Sequence, residues 1–251
     1  MEKLAVLTGD LIASTQAPDR LAQAMAALAA ATATFSAFTE MPPRFTRFRG
    51  DGWQMLLPRP GLALRLALRL SAGLAARQVG LATRISIGFG GVDHAGGADL
   101  SDAAGGAFTR SGRGLDHMAR GRRWAVAGGS GLPGWTCGYV DLADWQSARW
   151  TAGQAEVVAD WLDPEPRRQE DRADRLGLTR QAWKSRFDGS GIAAWWDSAL
   201  KSLHLRERST YDKALEAYSG RFRMLAAMNF SVYLERFMYE ASLAGSASWN
   251  M

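Results

Sequence analysis

Two periods alternate along the N-terminal part of this chain, and their order limits its fold more than any other feature. LAVLT (Leu4–Thr8) is a short apolar run ending in Gly9-Asp10, and it predicts a buried strand. Asp19–Phe38 is rich in alanine, carries Leu21, Met25, Leu28 and Phe35 at helical spacing, and gives way to Pro42-Pro43. RFTRFR (Arg44–Arg49) and WQMLL (Trp53–Leu57) surround Gly50-Asp51-Gly52, and an Asp-Gly step between two such runs predicts a hairpin. Gly61–Val79 reads as a second helix. Its arginines, Arg65, Arg69 and Arg77, recur at helical spacing, which predicts an amphipathic helix of a soluble protein and not a membrane span. TRISIGF (Thr83–Phe89) alternates and is β-branched, a fourth strand. Strand, helix, strand, strand, helix, strand is the ferredoxin-like βαββαβ order, so an α+β palm-like domain is expected.

Beyond it, Gly90–Ala98 reads as a glycine-rich loop and Ala104–Arg120 as a helix. Arg122–Ala127 reads as a fifth strand and Gly128–Gly138 as a loop around Pro133, so that the first domain spans residues 1–148. From Trp150 only helical periodicity remains. Thr151–Leu162 is a helix, Pro164 and Pro166 a break, and Arg168–Leu176, Gly177 and Thr179–Phe187 a helix–turn–helix. Ile192–Leu205 completes an all-α domain over 149–205, with Trp195 and Trp196 read as its core. Arg208–Ser219 and Arg221–Leu243 predict C-terminal helices within 206–251. Phe222, Leu225, Met228, Val232, Leu234, Phe237, Met238 and Ala241 suit packing on the same chain or in a homodimer, which would also supply two DNA half-sites.

Composition removes several function classes. One cysteine among 251 residues, Cys137, excludes an internal disulfide and a multi-cysteine metal site and suits a reducing cytosol. His94, His117 and His204 are too scattered for a zinc cluster. The N-terminus runs straight into a strand, unlike a signal peptide, and no membrane association is expected. The formal charge is +5 and almost all of the basic side chains are arginine, which suits a polyanion such as nucleic acid or nucleotide.

In the usual strand order for this unit, strands 1 and 3 are antiparallel neighbours, so Asp10 and Asp51 meet at one edge of the sheet. Two carboxylates and a backbone carbonyl make a hard oxygen site for Mg²⁺ or Mn²⁺, whose shell substrate phosphates complete. The amides of Leu11–Thr15 and the Ser14 and Thr15 hydroxyls, leading into the first helix, offer places for a triphosphate. A helix cap at Asp10 and an ordinary turn residue at Asp51 are the alternative. In the helix–turn–helix, Ala173 sits where two helices cross and Gly177 where the turn needs positive φ, and Thr179 caps the second helix. That helix carries Arg180, Gln181, Lys184, Ser185 and Arg186 with no acid before Asp188, whereas Glu170, Asp171 and Asp174 offset Arg172 and Arg175 in the first. This asymmetry fits a second helix that enters the major groove of double-stranded DNA. A hairpin used only for packing is the alternative.

VLTGDLIAST, FRGDGWQMLL, TRISIGFGG and GGAFTRSGRGLDHM, in this order, resemble the SatD family, and through it the nucleotidyl cyclase and polymerase-palm superfamily. The resemblance covers roughly residues 4–127. It implies that Asp10 and Asp51 bind metal, with the carbonyl of Leu11 or Ile12 beside them. It places Ser14, Thr15 and Gly50 at the phosphates of a nucleoside triphosphate or cyclic nucleotide. The chain departs from the class III cyclases in their last motif, where Arg110 stands for an Asn and Gly114 for an Arg. Arg113 and Arg110 are the substitutes at hand, Arg113 as a catalytic candidate. The adenine-reading lysine has no counterpart. These departures favour a DNA-binding regulator with a magnesium-dependent nucleotide sensor over an active nucleotidyl cyclase or nucleotidyltransferase. SatD-like proteins often carry a C-terminal helix–turn–helix as well.

Overall fold

Five strands form a mixed sheet in the order β2-β3-β1-β4-β5, in a computed structural model that describes residues 3–36, 39, 41–48, 50–97, 99–128, 135–163, 165 and 167–195. β1 (Lys3–Leu11) is central and antiparallel to both β3 (Gly52–Leu57) and β4 (Thr83–Gly91). β2 (Arg44–Phe48) pairs with β3 as a hairpin, and β5 (Trp124–Ala127) runs parallel to β4. The first four strands and the helices α1 (Pro18–Ala33) and α2 (Ala63–Ala76) follow the expected order, and the fold is α+β with a sheet compatible with the ferredoxin-like pattern.

Alternation decides which residues face which layer. Ala5, Leu7 and Leu11, with Trp53, Met55, Leu57, Ile85, Ile87 and Phe89, join the main core with α1 and α2. Leu4, Val6 and Leu56 face the other way, onto Leu100, Ala107 and Phe108 at the start of α3 (Gly106–Asp116). α3 lies directly on β4. A Cβ on Gly88 would run into the Ala107 carbonyl and the Ser111 backbone, and one on Gly114 into the Ser86 hydroxyl, so this pairing needs bare backbone on both partners. Beneath it the hydroxyls of Thr8 and Ser111 hydrogen-bond at 2.8 Å.

Two helices depart from the sequence reading in this layer. α4 (Trp135–Ser147) begins inside the stretch read as a loop, with Gly138 in its first turn and Val140 and Ala143 buried. The arginines of α2 do not form a solvated face. α5 (Ala152–Trp161) packs along α2, and buried Arg65 donates through Nε to the Leu162 carbonyl (2.8 Å) and through Nη2 to that of Asp163 (3.0 Å). A guanidinium satisfies the free carbonyls and the negative end of the α5 dipole, so it is at home inside.

α5 starts with a capping box of Thr151 and Gln154. α6 (Gln169–Arg175) and α7 (Arg180–Gly189) follow, joined by a turn at Gly177. Trp183 is buried, stacked on Phe187 with ring centroids 4.8 Å apart, and Phe187 meets Trp161 of α5. One apolar core runs from the sheet through α2 to α5, α7, Ile192 and Trp195. Residues 192–195 are helical, and Trp195 is core as expected. Trp196, the remainder of the helix to Leu205 and the C-terminal helices expected in 206–251 lie outside the described residues. Among the described residues no helix is long and apolar enough to cross a membrane.

Candidate functional site

The register of β1 against β3 places Asp10 opposite Gly52, so Asp51, one residue earlier in the hairpin, comes beside it at the sheet edge. The Leu11 amide donates to the Asp51 carbonyl (3.2 Å), which ties the hairpin to the end of β1. The two acids that the sequence singled out are therefore neighbours. Asp10 points to the same sheet face as Thr8 and Arg84.

Neither carboxylate is idle. Arg84, opposite Asp10 on β4, forks onto it: Nε donates to Oδ1 at 2.8 Å and Nη2 to Oδ2. This hydrogen bond, with the charges of Asp10, Asp51 and Asp116, raises the Arg84 guanidinium above its ordinary value against the opposing effect of burial. Asp51 accepts from the Ser14 hydroxyl. Beneath them, buried Trp53 donates from Nε1 to the Thr83 hydroxyl (2.9 Å), and that hydroxyl donates to the Asp10 carbonyl (2.8 Å). Gly9 makes this possible. A Cβ there would collide with the Trp53 ring and the Arg84 carbonyl, so its service is to the packing beneath the strand and not to an open approach above it.

The segment after Asp10 differs from the sequence expectation. The Leu11 amide is spent on Asp51, and that of Ile12 donates to the Ala82 carbonyl (2.8 Å). Ala13 has φ 58°, Ser14–Gln16 form one 3-10 turn, and α1 begins only at Pro18. Ser14 is buried on Asp51, while Thr15 is exposed beside it. Leu11 and Ile12 thus have no free amide for an anion, and only their carbonyls remain as candidates. Gly50 lies in the hairpin turn with φ 77°.

α3 runs antiparallel to β4: Ala107 sits over Gly90, Ser111 over Gly88 and Gly114 over Ser86. Its C-terminal end therefore points to Arg84 and the acidic pair. Arg113 is on that last turn and exposed. Arg110 is at the other end, where its Nη1 donates to the Phe89 carbonyl (2.7 Å). Five residues of strand, about 17 Å, separate Phe89 from Arg84, so the structure does not bring Arg110 to the pair.

The donor set suits a hard divalent cation in type and charge: two carboxylates at an edge, one of which already holds a cationic group, with the Leu11 carbonyl next in the chain. Among the described residues no cluster of three His, Cys, Asp or Glu able to hold a metal is found. The protein's donors at this edge therefore number two carboxylates, and water or a ligand would have to complete the shell. Arg84, Thr83 and Trp53 are the members that sequence reasoning missed. Their roles depend on register, which no spacing announces.

A second arrangement lies on α7. Thr179 caps it by accepting from the Ala182 amide (3.1 Å), Gly177 has φ 64°, and Ala173 is buried, all as expected. Arg180, Gln181, Lys184 and Ser185 form one exposed ridge. Arg186 does not join it: half-buried, it pairs with Glu156 of α5 at 2.9 Å. Arg180 reaches Glu170 at 3.2 Å and Lys184 pairs with Asp188, both exposed pairs of small energetic weight. In α6, Arg172 is buried on Asp160 (2.9 Å) and Arg175 leans to the same carboxylate at 3.6 Å. With Arg172 turned inward, the exposed side chains of α6 are Glu170, Asp171 and Asp174 beside half-exposed Arg175, a net acidic set next to the basic ridge of α7.

No protein-family model matches this chain, and no curated protein matches it.

Proposed function

We propose that this chain is a DNA-binding regulator whose sheet domain binds a nucleotide together with Mg²⁺ or Mn²⁺, as its resemblance to the SatD family implies. The observation that carries the reading is the α7 ridge: Arg180, Gln181, Lys184 and Ser185 stand exposed on a helix that is capped, set off by a positive-φ turn and fixed from behind by Trp183 and Phe187. Arg and Gln are the side chains that read base edges, and Lys and Ser hold phosphates. The acidic outer face of α6 would keep the neighbouring helix off the backbone.

At the sheet edge, Asp10, Asp51 and the Leu11 carbonyl would hold the cation, which supplies charge neutralisation to nucleotide phosphates. Ser14 orients Asp51, Thr83 and Trp53 fix the Asp10 backbone, and Thr15 offers an exposed hydroxyl to a phosphate oxygen. With a cation held there, Arg84 would give up its fork on Asp10 and could pair with a nucleotide phosphate instead. Two copies of the chain would present two α7 ridges to a DNA duplex.

Binding of labelled duplexes taken from upstream of the chain's own coding region, followed by anisotropy over a salt series, tests the reading. Affinity should fall linearly on a log–log plot. Lys184→Ala should weaken all duplexes alike, whereas Arg180→Ala or Gln181→Ala should narrow the gap between preferred and other sequences. No salt-dependent binding to any duplex refutes it. The second reading, turnover of a nucleoside triphosphate by Asp10, Asp51 and Arg113, is favoured by the α3 C-terminus pointing at the pair. Consumption of a triphosphate with Mn²⁺, abolished in Asp10→Ala and Asp51→Ala, would establish it.

A further inference from the structure

α2 carries a second concentration of charge, in the layer that packs on the sheet face opposite to the Asp10 side chain. Arg69 has its Nε and Nη1 atoms buried, and neither has a hydrogen-bond partner among the described residues. Arg77, two turns on, is exposed, and its Nη1 makes one long bond, 3.4 Å, to the Gly73 carbonyl. Both guanidinium groups converge on Gly73. A Cβ built there would lie 3.3 Å from Nη1 of Arg69 and 3.6 Å from Nη1 of Arg77. Among the described residues no carboxylate oxygen comes within ion-pair distance of either. The acids that could serve are engaged elsewhere: Asp163 lies 3.4 Å from Arg167, and Asp160 holds Arg172.

Two like charges meeting over a bare backbone patch, with buried donors unpaired, is an arrangement that folding alone does not favour. It becomes favourable when an acceptor of opposite charge bridges the pair. We propose that Arg69 and Arg77 form an anion site over Gly73 that takes a tetrahedral oxyanion of the phosphate class. The site opens to solvent on the Arg77 side. Burial lowers the Arg69 guanidinium from its ordinary value; Asp163 and Asp160 pull it back through space, and Arg77 adds to the lowering.

Calorimetric titration of the full chain with inorganic phosphate, and separately with a nucleoside monophosphate, against acetate at matched ionic strength, tests it. Saturable phosphate binding that acetate does not reproduce is expected. Equal affinity for both phosphates assigns the free ion, and tighter monophosphate binding assigns the phosphate group of a nucleotide. Arg69→Met should weaken binding at least tenfold and Arg77→Gln at least threefold. Arg69→Met should also raise the melting midpoint in anion-free buffer, since it removes an uncompensated buried cation, and should lose the rise that phosphate gives the parent. Gly73→Ala, which favours the helix, should weaken binding without lowering the anion-free midpoint. No saturable binding overturns the proposal. So does binding that survives both arginine substitutions, binding that Asp10→Ala abolishes, or an anion-free midpoint that Arg69→Met lowers.

Discussion

Trp53 governs the position of Asp10 without touching its carboxylate. The indole fills the space that Gly9 leaves and reaches the Asp10 carbonyl through Thr83, so one buried ring and one hydroxyl set the height of the acid above the sheet. Gly9→Ala should therefore destabilise the fold by about 2 kcal/mol or more, since backbone on one side and a buried ring on the other leave no room to yield. A urea midpoint measures it. The Arg84–Asp10 fork leads to a prediction of the other sign. Asp10 and Arg84 are 23% and 38% exposed, a pair worth at most about 1 kcal/mol. If a divalent cation competes with the guanidinium, Arg84→Gln should tighten Mn²⁺ binding by roughly two- to fivefold, read from the titration of Mn²⁺ paramagnetic relaxation. Weaker binding in this variant would mean that Arg84 supports the site. The two aspartates were legible in the sequence because glycine flanks them at the ends of strand-like runs. Arg84 was not, because an arginine in an alternating strand looks like any outward-facing residue until its register partner is known.

Elements were legible where their boundaries are written in local chemistry. Thr179 and Gly177 announce the start of α7 and the turn before it, and both behave as read. Gly177→Ala forces a Cβ into the left-handed region and should cost about 1–2 kcal/mol, visible as a lower midpoint, with DNA affinity reduced if α7 shifts. α2 was legible as a helix but not as a buried one. Arginine at every fourth position marks a wet face unless another element brings carbonyls to it, and α5 brings its C-terminus. α4 was missed because the glycine-rich stretch before it hides its first turn. The segment between β4 and α3 adds a dependence on pH. Asp102 accepts from the Gly97 amide (3.0 Å) and meets His94 at 3.3 Å, and these contacts hold its carboxyl below the ordinary value. A lowered folded-state value contributes order above the ordinary aspartate range and loses it as pH falls through the folded value. Protection of the Gly97 amide, measured against its intrinsic exchange rate at each pH, should fall in that acid window, and Asp102→Asn should flatten the dependence.

At the scale of the molecule, the texture change at Trp150 marks a change of secondary structure, and the packing runs across it. The sequence reading ends one domain at residue 148 because alternation stops there. Yet α2 is enclosed by the sheet on one side and by α5 on the other, and Val157, Val158 and Leu162 are fully buried in a core continuous with the strands. Full burial of three such side chains is worth roughly 5–9 kcal/mol, comparable to the whole stability of a typical domain. Arg65 would lose its carbonyl partners on Leu162 and Asp163 in the same cut. A fragment ending at residue 148 should therefore lack the cooperative melting transition of the full chain and expose apolar surface to a dye such as ANS. In the intact chain, far-ultraviolet circular dichroism and tryptophan fluorescence should report one shared transition. A fragment that melts cooperatively near the full-chain midpoint would show that the sheet and its own helices suffice, and that α5 to α7 only rest against them. The shared core has a functional corollary as well. If a ligand at the sheet edge alters DNA binding at α7, the rigid α2–α5 contact is the material path between them, and Arg65→Met should loosen that coupling while leaving each ligand's own affinity within about twofold.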